Sequence, residues 1–102
     1  MDLGKLMKQA QQMQKNIQKL EKELNETEYE GFAGNKDVQV VINGKFEVVK
    51  VEINEELIEK DNKDIIEDLV KIAFNDASGK ANKDRETKTK ELSGGVSIPG
   101  LF

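Results

Sequence analysis

Apolar residues recur at the start of the chain at Leu3, Leu6, Ala10, Met13, Ile17, Leu20 and Leu24. The spacings alternate between three and four, a heptad seam that predicts a helix from about Leu3 to Asn25. Gln9, Gln11, Gln12, Gln14 and a series of lysines fill the remaining faces, and all are good helix formers. Asp2 stands where an N-cap belongs, an acid at the positive end of the helix dipole. The seam has two outlets. It packs on a sheet as the apolar face of an amphipathic helix, or part of it pairs with another helix.

From Val38 to Ile53 the apolar period changes to two. Val38, Val40 and Ile42 share one face of a first strand, and Val49, Val51 and Ile53 share a face of a second. Asn43-Gly44 lies between them and predicts a hairpin with a type I′ turn, in which both central residues need positive φ. Phe46 and Val48 have the opposite parity, so either a β-bulge near Val48-Val49 shifts the phase or both faces are covered there. Thr27 to Gly34, with Tyr29 and Phe32, reads as a short strand ending at a glycine turn. Because a lone hairpin is only marginally stable, residues 27–53 are expected to form a three-stranded antiparallel sheet covered on one face by both helices. That gives a two-layer α+β fold in the order α-β-β-β-α.

A second long helix is predicted from about Asn62 to Glu91. Asp61 or Asp64 reads as the acid of a capping box at its start. Ile65, Ile66, Leu69, Val70, Ala73, Phe74, Ala77 and Ala81 give it a broad apolar stripe. Beyond Ala81 the segment is polar on every face, so it is expected to project from the body or fray. Ser78-Gly79 marks a plausible bend. Residues 92–102 form a short apolar tail with the only proline, expected to be mobile unless a partner covers it.

The 102 residues make one small domain, whose thin core favours oligomerisation. Cysteine and histidine are both absent, which removes thiolate metal sites and the usual general base near neutral pH. No apolar run exceeds three residues and the first residues lack a secretory core, which points to a cytoplasmic protein without a membrane span. Glu55, Glu56, Glu59, Asp61 and Asp64 lack the spacing of a calcium loop and read as a solvated connection. Ser78-Gly79-Lys80 lacks the upstream glycine of a P-loop. Gly31-Phe32-Ala33-Gly34 fits the GxxG of KH domains, but that loop joins helices, so glycines at a turn are the plainer reading. The expectation is no enzyme, no cofactor, no metal and no small-molecule substrate.

Charge redirects attention to the ends. Residues 1–24 hold five lysines against three acids, residues 25–79 six against fourteen, and residues 80–102 five basic residues against three. The ends are mildly basic and the middle strongly acidic, so an anionic partner docks at the ends.

Leu6-Met7-Lys8-Gln9-Ala10-Gln11-Gln12-Met13-Gln14, Val38-Gln39-Val40 with Ile42-Asn43-Gly44, Val51-Glu52-Ile53, Glu67-Asp68-Leu69-Val70 and Ala73-Phe74-Asn75-Asp76-Ala77 together resemble the YbaB/EbfC family of small bacterial nucleoid-associated proteins. The resemblance spans nearly the whole chain; the tail departs modestly and takes no role from it. It implies a homodimer that binds double-stranded DNA with helices projecting like tweezers, nucleoid association, and neither catalysis nor cofactor. The candidate DNA contacts are Lys5, Lys8 and Lys15 on the first helix, away from its seam. On the projecting end they are Lys80, Lys83, Arg85, Lys88 and Lys90, with Thr87 and Thr89 as hydroxyl donors to phosphate. The competing reading is a protein-interaction module that uses the heptad helix and the apolar tail without touching DNA.

Overall fold

The structure is a computed structural model that describes residues 2–94. Residues 95–102, and with them most of the tail expectation, lie outside the described residues. The order is α1 (Leu3–Glu26), β1 (Glu28–Ala33), β2 (Val38–Asn43), β3 (Val48–Ile53), two short 3-10 turns (Glu55–Leu57 and Lys60–Asn62) and α2 (Lys63–Leu92). The strands form one antiparallel sheet in the order β1-β2-β3, the α+β arrangement the sequence pattern predicts.

Val38, Val40 and Ile42 of β2 face α2 and are almost wholly buried, beside Tyr29 and Ala33 of β1. Against them α2 sets Ala73, Ala77 and Ala81 at four-residue spacing, with Leu69, Val70 and Phe74 packed around the edge. These small side chains let the helix lie very close to β1. A Cβ on Gly31 would sit 1.9 Å from the Ala73 carbonyl oxygen and 2.5 Å from the Ala77 nitrogen. Gly31 is therefore an in-strand glycine set by helix approach, not one of a pair of turn glycines. Ser78-Gly79 causes no break, since α2 is one continuous helix. Its N-cap is Asn62, whose side chain donates to the Leu57 carbonyl, in place of the predicted acidic capping box.

The two hairpin turns exchange the roles their sequences suggest. Asp37 N–H donates to Gly34 C=O at 2.9 Å across Asn35 and Lys36, whose φ values of 54° and 68° are the positive pair expected of a type I′ turn. At Asn43-Gly44 neither residue has positive φ; Phe46 does, at 64°. Phe46 N–H donates to Asn43 C=O and Asn43 N–H to Glu47 C=O, a three-residue loop whose last residue is left-handed. Gly44 is needed for another reason: a Cβ there would lie 1.8 Å from the Leu24 carbonyl oxygen. The end of α1 rests on this loop. On β3 the register passes from Val41↔Lys50 to Ile42↔Val48, so Val49 is the extra residue of a bulge.

The largest departure from the sequence expectation is α1. The sheet's covered face belongs to α2, and α1 reaches the sheet only through its last turns, where Leu24 is buried against the Gly44 loop. From there α1 runs outward, antiparallel to the second half of α2. The described residues are accordingly elongated, 71 × 19 × 18 Å.

Candidate nucleic-acid interface

The outward-running pair of helices carries all the basic residues singled out from the sequence, and the structure divides them. Arg85 reaches across to α1 and the hairpin. Its guanidinium pairs with Glu21 at 2.8 Å and donates to the Asn25 side chain at 3.4 Å and to Gly44 C=O at 3.3 Å. Thr89 is 6% exposed and its hydroxyl donates to Arg85 C=O at 2.6 Å, which leaves it unable to serve as a phosphate donor. Lys80 lies back on β1: it donates to Glu30 C=O at 2.7 Å, pairs with Asp76 at 3.2 Å and stands 5.4 Å above the Phe32 ring. Arg85 joins α2 to α1 and the hairpin and Lys80 joins it to β1, so the segment after Ala81 does not project alone as the sequence suggests.

Lys88 and Lys90 pair one turn back with Asp84 and Glu86 at 3.2 and 3.0 Å. Surface pairs of this spacing are worth only about 0.3–0.5 kcal/mol. Asp84 is the more tightly held acid, because it also accepts the Tyr29 hydroxyl at 2.6 Å. That hydrogen bond, followed by Lys88, holds its carboxyl below the usual range against the opposing effect of burial. Burial and then Asp84 push the Tyr29 hydroxyl up to about 12. Asp76 is held low by the Phe32 N–H first and Lys80 second.

Lys5, Lys8 and Lys15 behave differently. They are exposed, and among the described residues none has an acidic partner within 4 Å; the same is true of Lys83 on α2. Thr87, one turn after Lys83, is also exposed. At about 100° per residue, Lys5, Lys8, Lys15, Lys19 and Lys22 fall within an arc of roughly 100°, nearly opposite the apolar seam. Lys19 and Lys22 are the members that sequence reasoning overlooks. Their signal is the helical repeat of the lysines themselves, the same count that exposes the seam. Between Leu3 and Leu20 α1 has no acidic side chain. The ridge is thus a run of unopposed cations on one continuous helix, and Asp2 caps its start by accepting from Gly4 N–H at 3.0 Å and Lys5 N–H at 3.3 Å.

Among the described residues no helix is long and apolar enough to cross a membrane, and no group of three or more acids is placed to hold a metal ion.

Residues 1–96 match the model of the YbaB/EbfC DNA-binding family. A nucleoid-associated protein of Rickettsia typhi is 40% identical over 99% of this chain and 94% of its own length. One from Thermoanaerobacter pseudethanolicus is 40% identical over 99% of this chain and 91% of its own. A solved structure, an uncharacterized protein from Helicobacter pylori, superposes with a TM-score of 0.74 at 24% identity, covering 90% of this chain and 97% of that one, and shares the fold.

Proposed function

The chain belongs to the YbaB/EbfC DNA-binding family, and we propose that it acts as a nucleoid-associated homodimer that grips duplex DNA chiefly by its phosphates. The observation that carries this reading is the lysine ridge of α1, unpaired and on the far side of the helix from its seam. Lys5, Lys8, Lys15, Lys19 and Lys22 are the principal contacts. Lys83, Thr87 and Lys90 on the outer face of α2 add to them, and Lys88 joins when its weak pair with Asp84 opens. Phosphate contact fixes register and orientation without reading sequence. The chain's only arginine is Arg85, held within the fold, so the commonest side chain for reading guanine is withheld from DNA. The acidic body between the basic ends repels DNA and confines it to the arms. Weak sequence preference suits a role in nucleoid organisation, with effects on gene expression following from occupancy. The proposal assigns binding and no reaction.

The homodimer rests on β3. This strand is one of the sheet's two edges, and α2 lies over β1 and β2 rather than over it. Val48 and Val51 stand opposite Ile42 and Val40 and so continue the core face, yet they are 52% and 47% exposed. Val49 and Phe46 add further exposed apolar surface. An uncovered edge of this kind, self-complementary under a two-fold, fits a second copy. Mobility shift of a duplex across a salt series, with sedimentation equilibrium on the same preparation, tests both parts. The expected result is a dimer whose affinity falls steeply with salt. A monomer at micromolar concentration removes the dimer, and salt-independent retardation removes the phosphate grip.

A further inference from the structure

Phe46 is a bulky residue in a place that suits glycine. The last residue of a three-residue hairpin loop is left-handed, and Phe46 holds φ at 64° there. A large side chain in that region is strained, and strain of this kind collects where a residue serves contact rather than folding. The core of the protein does not use it. Phe46 lies outside the core cluster and is 39% exposed at the tip of the hairpin, between the charged residues Lys45 and Glu47.

Beside it a cleft of about 690 Å³ opens between the last turns of α1 and the hairpin. Clefts of this size hold groups far larger than a benzyl ring. Ile17 and Val49 supply its apolar lining, and its four acids outnumber Lys22 and Lys45. Among the described residues Glu26 and Glu28 have no basic partner within 4 Å, and Lys45 has no acidic one. Phe46 does not line this cleft, although Lys45 and Glu47 on either side of it do. An exposed ring, a cleft and unpaired charges of both signs therefore adjoin one another. They continue the open edge of β3, which begins at Val48 and Val49. A two-fold axis passing between Phe46 and Val49 makes every contact twice. We infer that each copy of the homodimer seats its Phe46 in the cleft of the other, with Lys45 set against Glu26 and Glu28 there. An aromatic ring in a pocket rimmed by polar contacts is the common form of an interface hot spot. The inference rests on the β3 homodimer proposed above and names its anchor.

Sedimentation equilibrium of the full chain tests it, with folding checked by far-UV circular dichroism. Phe46→Asn removes the ring and installs a residue that suits the left-handed region. Its monomer should fold as the parent does, while dimer affinity falls about thirtyfold. Phe46→Tyr keeps the ring and should stay within about threefold of the parent. Lys45→Glu should weaken the dimer about fivefold, and adding Glu26→Lys and Glu28→Lys to it should restore the parent affinity. If Phe46→Asn does not fold, the charge exchange alone decides. A dimer that Phe46→Asn leaves at parent strength overturns the anchor while the β3 dimer stands, and so does a Lys45→Glu loss that the added lysines fail to restore. A parent that is monomeric at micromolar concentration removes the dimer itself, and the anchor with it.

Discussion

Lys8 and Arg85 carry the same charge on neighbouring helices, and the fold treats them in opposite ways. Around Arg85, Glu21 and the Asn25 and Gly44 oxygens converge from two other elements, so its charge goes into holding the arm to the body. Around Lys8 no acid approaches among the described residues, and the helix beneath it carries only further lysines and glutamines on that face. Equal formal charge at the two ends of the sequence therefore does not mean equal availability. The difference arises from acids. Asp76, Asp84 and Glu86 precede Lys80, Lys88 and Lys90 by one helical turn, the favourable order for such pairs. No acid occupies the matching positions on α1 before Glu21.

The contrast between Lys8 and Arg85 fails if reversing the ridge leaves DNA binding intact. Changing Lys5, Lys8 and Lys15 to Glu should weaken duplex binding by at least about a hundredfold at fixed salt, since each phosphate contact contributes roughly 0.9 to the salt slope. Thermal unfolding should stay within about 0.5 kcal/mol of the parent, as expected of exposed sites. Next in size is Gly44→Ala. Its Cβ would collide with the Leu24 carbonyl, and forcing α1 off the hairpin should cost about 1–3 kcal/mol in a denaturant melt. Arg85→Ala should lose about 1–2 kcal/mol of stability through three severed hydrogen bonds. Its DNA affinity, measured where both forms are folded, should fall less than that of the α1 triple variant.

The smallest effect is spectroscopic. Tyr29 is the only tyrosine, so phenolate absorbance reports it alone. Its hydroxyl ionises at about 12 in the fold against 10.0 for the free group. Below pH 10 both folded and unfolded chains keep the proton. Between 10 and about 12 only the unfolded chain loses it, so stability falls as pH rises through that window. Asp84→Asn should move the native transition back toward 10. A native transition already at 10 in the parent would remove Tyr29–Asp84 from the interactions that hold α2 to β1. At the acid end the sign reverses: the stability contributed by Asp84 and Asp76 is lost as pH falls through their lowered folded values.

The elements and their order were legible because period is written residue by residue: three-four spacing for the helices, two for the strands, and the parity break that marks the Val49 bulge. Which helix covers the sheet was not. Ala73, Ala77 and Ala81 opposite Gly31 make α2 the closer-fitting partner, a match of small residues that an apolar count undervalues beside the Leu and Met of α1. The turns misled for a related reason. Asn-Gly is a strong type I′ signal, but Gly44 answers a steric demand from Leu24, and the positive φ pair falls on Asn35 and Lys36. Within the candidate site, the i,i+4 pairs of α2 lay open in the spacing, whereas Arg85 with Glu21 joins residues far apart in sequence. Nothing local distinguishes Arg85 from an exposed cation.

The salt dependence of duplex binding decides where DNA sits. The log–log slope is to be measured for the parent, for Lys5, Lys8, Lys15 and Lys19 changed to Ala, and for Lys80, Lys88 and Lys90 changed to Ala. The α1 set should flatten the slope by roughly 0.9 for each phosphate that is no longer neutralised, and the α2 set, which removes at most the supplementary contacts of Lys88 and Lys90, should flatten it by less. A slope that collapses with the α2 set and survives the α1 set would contradict the assignment of DNA to the ridge.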